Sequence, residues 1–229
     1  MLFLLLGQGF DLAYIIAVVI VLFFAFAYHE FGHAIVADRL GDMTPRNHGR
    51  ITLNPIPHVS LVGLIMVMLI GFGGAYTPIN PNALRGNPRT SHVYVALAGP
   101  VMNFVMAILF AIPLRLLTMG VIDPTILAQG GTSGQWIRWL FDLFDIGVRL
   151  NLFLIALNLL PIPPLDGFWV LRGVVPLEMA VRLDVLRQYG MMVFLLILIL
   201  LPRISPSLDI FPLINDFSST VYRFLVGSF

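Results

Sequence analysis

Two histidines and a glutamate within five residues could form a metal centre: His29-Glu30-Phe31-Gly32-His33 has the pattern H-E-x-x-H. On a helix, residues four apart lie on one face, so both imidazoles could bind one zinc ion. Glu30 lies beside them and could take a proton from a water molecule and later pass it to a leaving amine. The same pattern also occurs by chance, as two histidines that simply pair with a glutamate.

The motif lies in an apolar stretch, 12–37, that is long enough to cross a hydrocarbon core of about 30 Å. Ionisable side chains in a spanning helix are costly unless they are paired, bound to a metal or facing a polar cavity. The membrane setting therefore favours a metal site over a pair of bundle-facing histidines with a glutamate partner.

A third ligand is needed, because a catalytic zinc ion usually has three protein ligands and one open position. The chain has no cysteine, so the ligand must be His, Asp or Glu. His48, His58 and His92 lie in or beside predicted loops, where we expect surface or supporting roles. Asp166 is the better candidate because it follows a span within the proline-rich segment 158–167. Irregular backbone at membrane depth persists only where it lines a cavity or packs on protein.

The composition of the chain predicts that lipid surrounds it. Its 229 residues are 59% hydrophobic and 11% charged, whereas soluble domains carry about a quarter charged residues. The net charge of +1 gives no sign of a nucleic-acid partner. No basic segment precedes the first apolar residues, so we expect no cleaved signal peptide. Because apolar spans run almost end to end, we predict one domain over 1–229, with a core at 12–172 and additional C-terminal helices at 177–229.

Four apolar stretches are predicted to cross the membrane: 12–37, 92–119, 136–160 and 189–201, the last of which could begin near residue 177. The stretch 59–75 is short and broken by glycines, so we predict a re-entrant segment. A short β element is predicted at 50–53, while 209–226 either spans the membrane or lies at its interface. The predicted fold class is an all-α membrane protein, a polytopic transmembrane helix bundle with a re-entrant segment and a short β element.

Four motifs occur in order along the chain: HEFGH at 29–33, LNPIPH at 53–58, AGPVMN at 98–103 and NLLPIPPLDG at 158–167. Together they resemble the site-2 protease family of intramembrane zinc metalloproteases, in its small form without PDZ or CBS domains. The resemblance implies that His29, His33 and Asp166 bind one Zn²⁺ per chain and that Glu30 is the catalytic base. It also implies that Asn158 holds the substrate peptide or its oxyanion.

The resemblance covers roughly residues 25–172 and has one departure. After LNPIPH the family often has Asp-Pro and then Gly, where this chain has Ser-Leu-Val-Gly at 60–63. No implied ligand is lost by this change, so it affects only the role expected of that loop.

The proposed ligands impose a condition on topology. His29 and His33 lie near the end of the first span and Asp166 follows the third, so these spans must run in the same direction. They do so if 59–75 does not cross completely. The positive-inside rule then places the active site toward the cytoplasm. The side of the membrane that holds the active site would carry Arg39, Arg46, Arg50, Arg85, Arg89, Arg172, Arg182 and Arg187. On or toward the other side would lie Arg115, Arg138, Arg149 and Arg203.

The predicted function is hydrolysis of peptide bonds within or near transmembrane segments of single-span membrane proteins, by a zinc enzyme in the lipid bilayer of a prokaryotic cell. A helical substrate must unwind before cleavage, and the unwound part could pair with 71–74 or with the predicted strand at 50–53. A non-catalytic zinc-binding membrane adaptor, a metal transporter and a purely structural membrane protein remain alternatives. Glu30 argues against a transporter, since ion transport needs no general base.

Overall fold

The computed structural model of the protein describes residues 12–60, 63, 76–128 and 130–227, and most of these residues are helical. The helices are α1 (Leu12–Arg39), α2 (Thr44–Asn47), α3 (Pro88–Thr118), α4 (Gly131–Asn158), α5 (Asp166–Val174), α6 (Leu177–Arg187), α7 (Gly190–Ile204) and α8 (Phe211–Val226). Short 3-10 turns lie at Ile56–His58, Pro81–Ala83, Pro124–Ala128 and Pro206–Leu208. The predicted helical bundle is thus confirmed in broad outline.

Among the described residues, α1 and α3 are the two single helices that are long and apolar enough to cross a membrane. They contain 28 and 31 residues, so they are about 42 and 46 Å long at 1.5 Å per residue. α3 begins where the Asn87 side chain accepts a hydrogen bond from the backbone N–H of Arg89 at 3.0 Å. Pro88 occupies the first turn, where no backbone donor is needed.

The predicted third span, 136–160, forms most of α4, but α4 does not qualify as a membrane span by composition, because it carries too many charged residues. Among its charged side chains, Arg149 and Asp145 form an ion pair. Arg149 donates to one carboxylate oxygen of Asp145 at 2.7 Å, and the hydroxyl of Tyr222 in α8 donates to the other at 2.5 Å. Such pairing lowers the cost of placing charge within a membrane bundle.

α1, α3 and α4 pack against one another and form the centre of the bundle. Val18 and Leu22 of α1 are each 2% exposed and cluster with Ile146 of α4. Farther along α1, Gly32 allows a close approach to α3, because a Cβ atom at this position would lie 2.5 Å from the carbonyl oxygen of Ala98. Small residues at a helix crossing permit such contact, and here the contact joins two of the sequence motifs.

The connection between α1 and α3 leaves and returns at the same end of the bundle. The backbone N–H of Arg85 donates to the carbonyl of Leu40 at 2.8 Å, and that of Asn80 donates to the carboxylate of Asp42 at 2.7 Å. α3 therefore starts beside the end of α1 and runs back along it. The predicted re-entrant segment, 59–75, lies almost wholly outside the described residues, as does its glycine-rich part at 71–74.

The prediction of a β element at 50–53 is wrong, since these residues form bends in a loop. The backbone N–H of Asn54 donates to the Thr52 hydroxyl, and that of Ile56 donates to the Asn54 side chain, each at 3.1 Å. His58 Nε2 donates to the carbonyl of Thr52 at 2.9 Å. Local bonds from short polar side chains thus satisfy the backbone in place of a strand ladder.

The C-terminal helices pack around this centre. α5 contacts α3 and α6, and α8 packs on α3 and α4. α6 and α7 pass the test for a span only as a pair, and they are bent by 82° where they meet. α7 contains the predicted fourth span at 189–201, and 209–226 corresponds to α8, which has only 16 residues.

Candidate metal centre

α1 presents His29 and His33 on one face, as their four-residue spacing predicts. Their Nε2 atoms lie 3.0 Å apart, and each residue is 6% exposed. Asp166, the first residue of α5, brings its carboxylate to the same point. Its Oδ2 lies 3.1 Å from His29 Nε2, and its Oδ1 lies 3.4 Å from His33 Nε2. The fold therefore brings together the three side chains predicted as ligands, with one ligand atom of each within 4.8 Å of the others.

Hydrogen bonds from Nδ1 orient both imidazoles. His33 Nδ1 donates to the backbone carbonyl of Val95 at 2.7 Å, and His29 Nδ1 donates to Oδ1 of Asn103 at 2.6 Å. Both partners are acceptors, so the proton of each neutral imidazole is on Nδ1. The lone pair of each Nε2 consequently points toward the other candidate ligands, which is the arrangement that metal-binding histidines require.

With each imidazole neutral and protonated on Nδ1, the three converging groups would have no donor between them. Two Nε2 lone pairs face each other, and Asp166 Oδ2 is buried without a hydrogen-bond partner among the described residues, despite its 3.1 Å separation from His29 Nε2. Electron-rich atoms held this closely are unfavourable unless a cation lies between them. Tetrahedral zinc with ligand distances of about 2.0–2.1 Å separates its ligand atoms by about 3.3 Å. The residues present therefore fit a zinc ion.

Glycine at position 99 makes room for the imidazoles. A Cβ atom at Gly99 of α3 would lie 2.5 Å from His33 Nε2 and 2.6 Å from His29 Nε2. These separations are far below van der Waals contact, so a larger residue would displace the ring nitrogens. The motif at 98–103 thus contributes to the site in two ways: Gly99 leaves space for the imidazoles, and Asn103 accepts the hydrogen bond from His29.

Asp166 is positioned by the packing of α5. A Cβ atom at Gly167 would overlap the backbone of Leu159 and Leu160, so α5 lies directly on the end of α4. The neighbouring Phe168 is 1% exposed. At the other end of α5, Arg89 donates to the carbonyls of residues 172, 173 and 175. The short helix is therefore held at both ends.

A cavity of about 360 Å³ opens beside the three candidate ligands. Glu30 lines it from α1 and is 9% exposed, and the hydroxyl of Thr77 donates to its backbone carbonyl at 3.1 Å. Asn158 lines the cavity from the end of α4. Its amide donates to the carbonyl of Leu154 at 3.0 Å, which uses one of its two N–H donors and leaves one for another partner.

The remaining histidines stand apart from the ligand cluster. His48 is exposed and bonds to the backbone of its own turn, while His58 is 2% exposed and bonds within its loop. His92 lines the cavity, where its ring stacks on Trp169 of α5 with centroids 4.3 Å apart. Arg172 and Arg187 lie over the same indole at 5.9 and 5.6 Å from its centroid.

Sequence reasoning assigned no role to Asn103, Asn151 or Trp169. The two asparagines carry a usable signal, because an amide within a long apolar stretch is costly unless it is bonded. For Trp169 there was no such signal, since aromatic residues are common at the ends of membrane helices. Its place in the cavity wall follows only from the packing of α5.

Residues 17–122 match the profile of peptidase family M50, a region that includes the histidine motif and Asn103 but ends before Asp166. YwhC of Bacillus subtilis (strain 168), named as a candidate zinc metalloprotease, is 37% identical over 182 residues, which cover 79% of each chain. No solved structure matches the chain.

Two mycobacterial relatives have the name Rip2 and the same description. The protein of Mycolicibacterium smegmatis is 35% identical over 185 residues, and that of Mycobacterium tuberculosis (strain H37Rv) is equally similar. The aligned regions cover 79% and 77% of this chain and 64% of each Rip2, so the chain spans less than two thirds of these two relatives. With 37% identity across 79% of YwhC, the chain belongs to peptidase family M50, the site-2 protease family of membrane metalloproteases.

Proposed function

We propose that the protein is an intramembrane zinc endopeptidase that cleaves single-span membrane proteins within or near their transmembrane segments. The observation that carries this proposal is the convergence of His29 Nε2, His33 Nε2 and the carboxylate of Asp166, with one ligand atom of each within 4.8 Å of the others. One zinc ion per chain, held by these three residues, satisfies all three acceptors. A zinc ion with three such ligands keeps one position open for chemistry.

Zinc, when bound, polarises a carbonyl group and makes water a stronger acid. Glu30 is the proposed general base: it lies next to His29 in the chain and lines the same cavity. Its carboxylate takes the proton of the attacking water and delivers it to the nitrogen of the departing amine. The low exposure of Glu30 keeps competing bulk water away from this transfer.

Asn158 is the proposed partner of the substrate backbone. It lines the cavity with the ligands, and its second amide N–H is available for a peptide oxygen or for the oxyanion that forms during attack. Because a membrane helix satisfies its peptide groups internally, the substrate must unwind at this point before its carbonyl can be reached.

The proposed setting is a prokaryotic cell membrane, with the site toward the cytoplasm. Support comes from the basic residues at the end of the bundle where α1 finishes and α3 begins, including Arg39, Arg85 and Arg89. Basic residues close to membrane spans favour the cytoplasmic side. Labelling of single cysteines at positions 82 and 115 in intact cells tests this orientation. The proposal requires position 82 to react only from the cytoplasmic side and position 115 only from the opposite side.

The function is tested by measuring bound zinc and cleavage of single-span substrates with purified protein in detergent. We expect about one zinc per chain in the unchanged protein, retained zinc without cleavage in Glu30→Gln, and weakened zinc binding without cleavage in Asp166→Ala. Glu178→Gln is the matched control. Glu178 is exposed on α6, so this variant has the same chemical change at a position away from the cavity.

The outcomes separate the proposed enzyme from its alternatives. Absence of zinc after metal-replete purification would overturn the ligand assignment. Zinc binding with equal cleavage by Glu30→Gln would remove the general base from the mechanism. Zinc transport into vesicles that survives Glu30→Gln, with no cleavage by the unchanged protein, would point to a metal transporter.

A further inference from the structure

We propose that Asn103 and Asn151 are positioning residues for His29 and tune the affinity of the site for its metal. The inference rests on the proposed zinc site, although neither asparagine is among its ligands. It concerns the interior of the bundle, on the side of His29 that faces away from the cavity.

The two asparagines form a hydrogen-bonded chain that crosses three helices. His29 Nδ1 of α1 donates to Asn103 Oδ1 of α3 at 2.6 Å, and Asn103 Nδ2 donates to Asn151 Oδ1 of α4 at 2.9 Å. Asn103 Nδ2 also donates to the carbonyl of Ala25 at 3.2 Å. The chain ends where Asn151 Nδ2 donates to the carbonyl of Gly147 at 2.8 Å.

The direction of every bond follows from the two backbone carbonyls. A carbonyl can only accept, so Ala25 and Gly147 require the amide nitrogen of each asparagine on their side. The amide oxygen of Asn103 must therefore face His29, which places the imidazole proton on Nδ1. Asn151 in turn offers its oxygen to Asn103 and prevents the Asn103 amide from rotating. The row of hydrogen bonds through the two asparagines thus determines which nitrogen of His29 is available to a metal.

The burial of the two hydrogen-bonded asparagines indicates that keeping them costs free energy of folding. Asn103 and Asn151 are both 0% exposed, inside helices that are otherwise largely apolar. An apolar pair of similar volume would pack in the same place without needing any hydrogen bond. His33 shows the alternative arrangement, since its Nδ1 is held by the backbone of Val95 and depends on no other side chain.

The affinity for Zn²⁺, measured by competition with a chromophoric chelator in detergent, tests the proposal. We expect Asn103→Leu to weaken binding by about 10- to 100-fold, the usual effect of losing a partner behind a metal-binding histidine. Asn151→Leu should weaken it by several-fold to about tenfold through Asn103. Because the two act in series, the double variant should bind no more weakly than Asn103→Leu alone.

The electronic spectrum of the Co²⁺-loaded protein provides a second readout that is independent of cleavage. A change in the orientation of His29 should alter the visible bands of the Asn103→Leu and Asn151→Leu variants. Leu114→Ala is the control for a purely structural effect, because Leu114 is 3% exposed in the packing between α3 and α4 and belongs to a cluster without His29. It should lower thermal stability and leave the spectrum and the zinc affinity unchanged.

Three results would overturn the proposal: unchanged affinity in both asparagine variants, fully additive losses in the double variant, or an equal loss in Leu114→Ala. If Asn103→Leu does not fold, Asn151→Leu decides the matter, because Asn151 contacts none of the ligands. Zinc bound by the unchanged protein and by every variant with equal affinity removes only this proposal. Absence of zinc from the unchanged protein removes the proposed function with it.

Discussion

The two halves of the candidate site are held by different physical means. In the histidine half, made by α1, α3 and α4, the side chains of His29 and His33 are 8% exposed and each is fixed by a hydrogen bond from Nδ1. In the aspartate half, made by α5, the side chain of Asp166 is 17% exposed, and Oδ2 has no hydrogen-bond partner among the described residues.

The difference indicates how each half tolerates change. The histidine half depends on directional bonds and on the space left by Gly99, so it should respond to changes of a few atoms. The aspartate half depends on where a short helix packs, through Gly167 at one end and Arg89 at the other. Except at Gly167 itself, where an added methyl group would overlap backbone, it should yield more gradually, because a helix can shift slightly while its ligand remains within reach.

The largest effect is expected from Gly99→Ala in the histidine half. The added methyl group would lie 2.5–2.6 Å from both Nε2 atoms, so the imidazoles must be displaced. We expect zinc affinity to fall by more than about 100-fold and cleavage to be lost, since the ligand geometry permits little displacement. Metal analysis and chelator competition check this expectation.

Gly130→Ala is the matched control for that change. A Cβ atom at Gly130 would have no neighbour within 4 Å among the residues that the structure describes, and its φ of −81° suits alanine. Normal zinc content in Gly99→Ala would contradict the comparison, because it would mean that the histidine half yields as readily as the aspartate half.

A smaller effect is expected from Arg89→Gln, which loosens α5 in the aspartate half. The guanidinium donates to the carbonyls at the end of α5, at 2.9 Å for that of Arg172. Hydrogen bonds from charged groups contribute about 1.5–3 kcal/mol, so thermal unfolding should occur at lower temperature. Zinc affinity should fall by no more than about tenfold, because Asp166 lies at the opposite end of the helix.

Arg203→Gln, at an exposed position near the end of α7, is the control for loss of a positive charge. A loss of zinc binding in Arg89→Gln as large as that in Gly99→Ala would show that the aspartate half is equally intolerant. The two halves of the site would then be held by different interactions but would be equally sensitive to substitution.

The smallest effect on the metal is expected from Trp169→Ala. Trp169 lines the cavity from α5 and stacks on His92 but contacts no candidate ligand by a hydrogen bond. Its removal should leave zinc affinity unchanged while altering kcat/KM by up to about tenfold in a substrate-dependent manner, as changes in an apolar pocket wall do. A panel of substrates that differ in side-chain size near the cleavage point measures this.

Trp136→Ala, at a position 65% exposed on α4, is the matched control. Equal changes for every substrate in the panel would mean that Trp169 supports the fold of α5 and does not select substrates. A fall in zinc affinity would place the indole among the groups that position Asp166.

Much of the fold could be predicted because membrane helices are encoded by local composition. The stretches 12–37 and 92–119 are apolar and long, and they form α1 and α3. Prediction was less successful where short polar side chains decide the backbone. At 50–53 the β-branched residues suggested a strand, but bonds involving Thr52 and Asn54 close a loop instead.

The sequence by itself determined which residues are candidates for the chemistry. Four-residue spacing on a helix aligns His29 with His33 whatever surrounds them, and Glu30 must then lie beside both. Only the tertiary structure decided what orients these residues. Val95 and Asn103 are 62 and 74 positions away from the histidines that they bond. Such partners are specified by helix packing and by the direction of hydrogen bonds across several helices. The local spacing of residues in the sequence therefore cannot predict them.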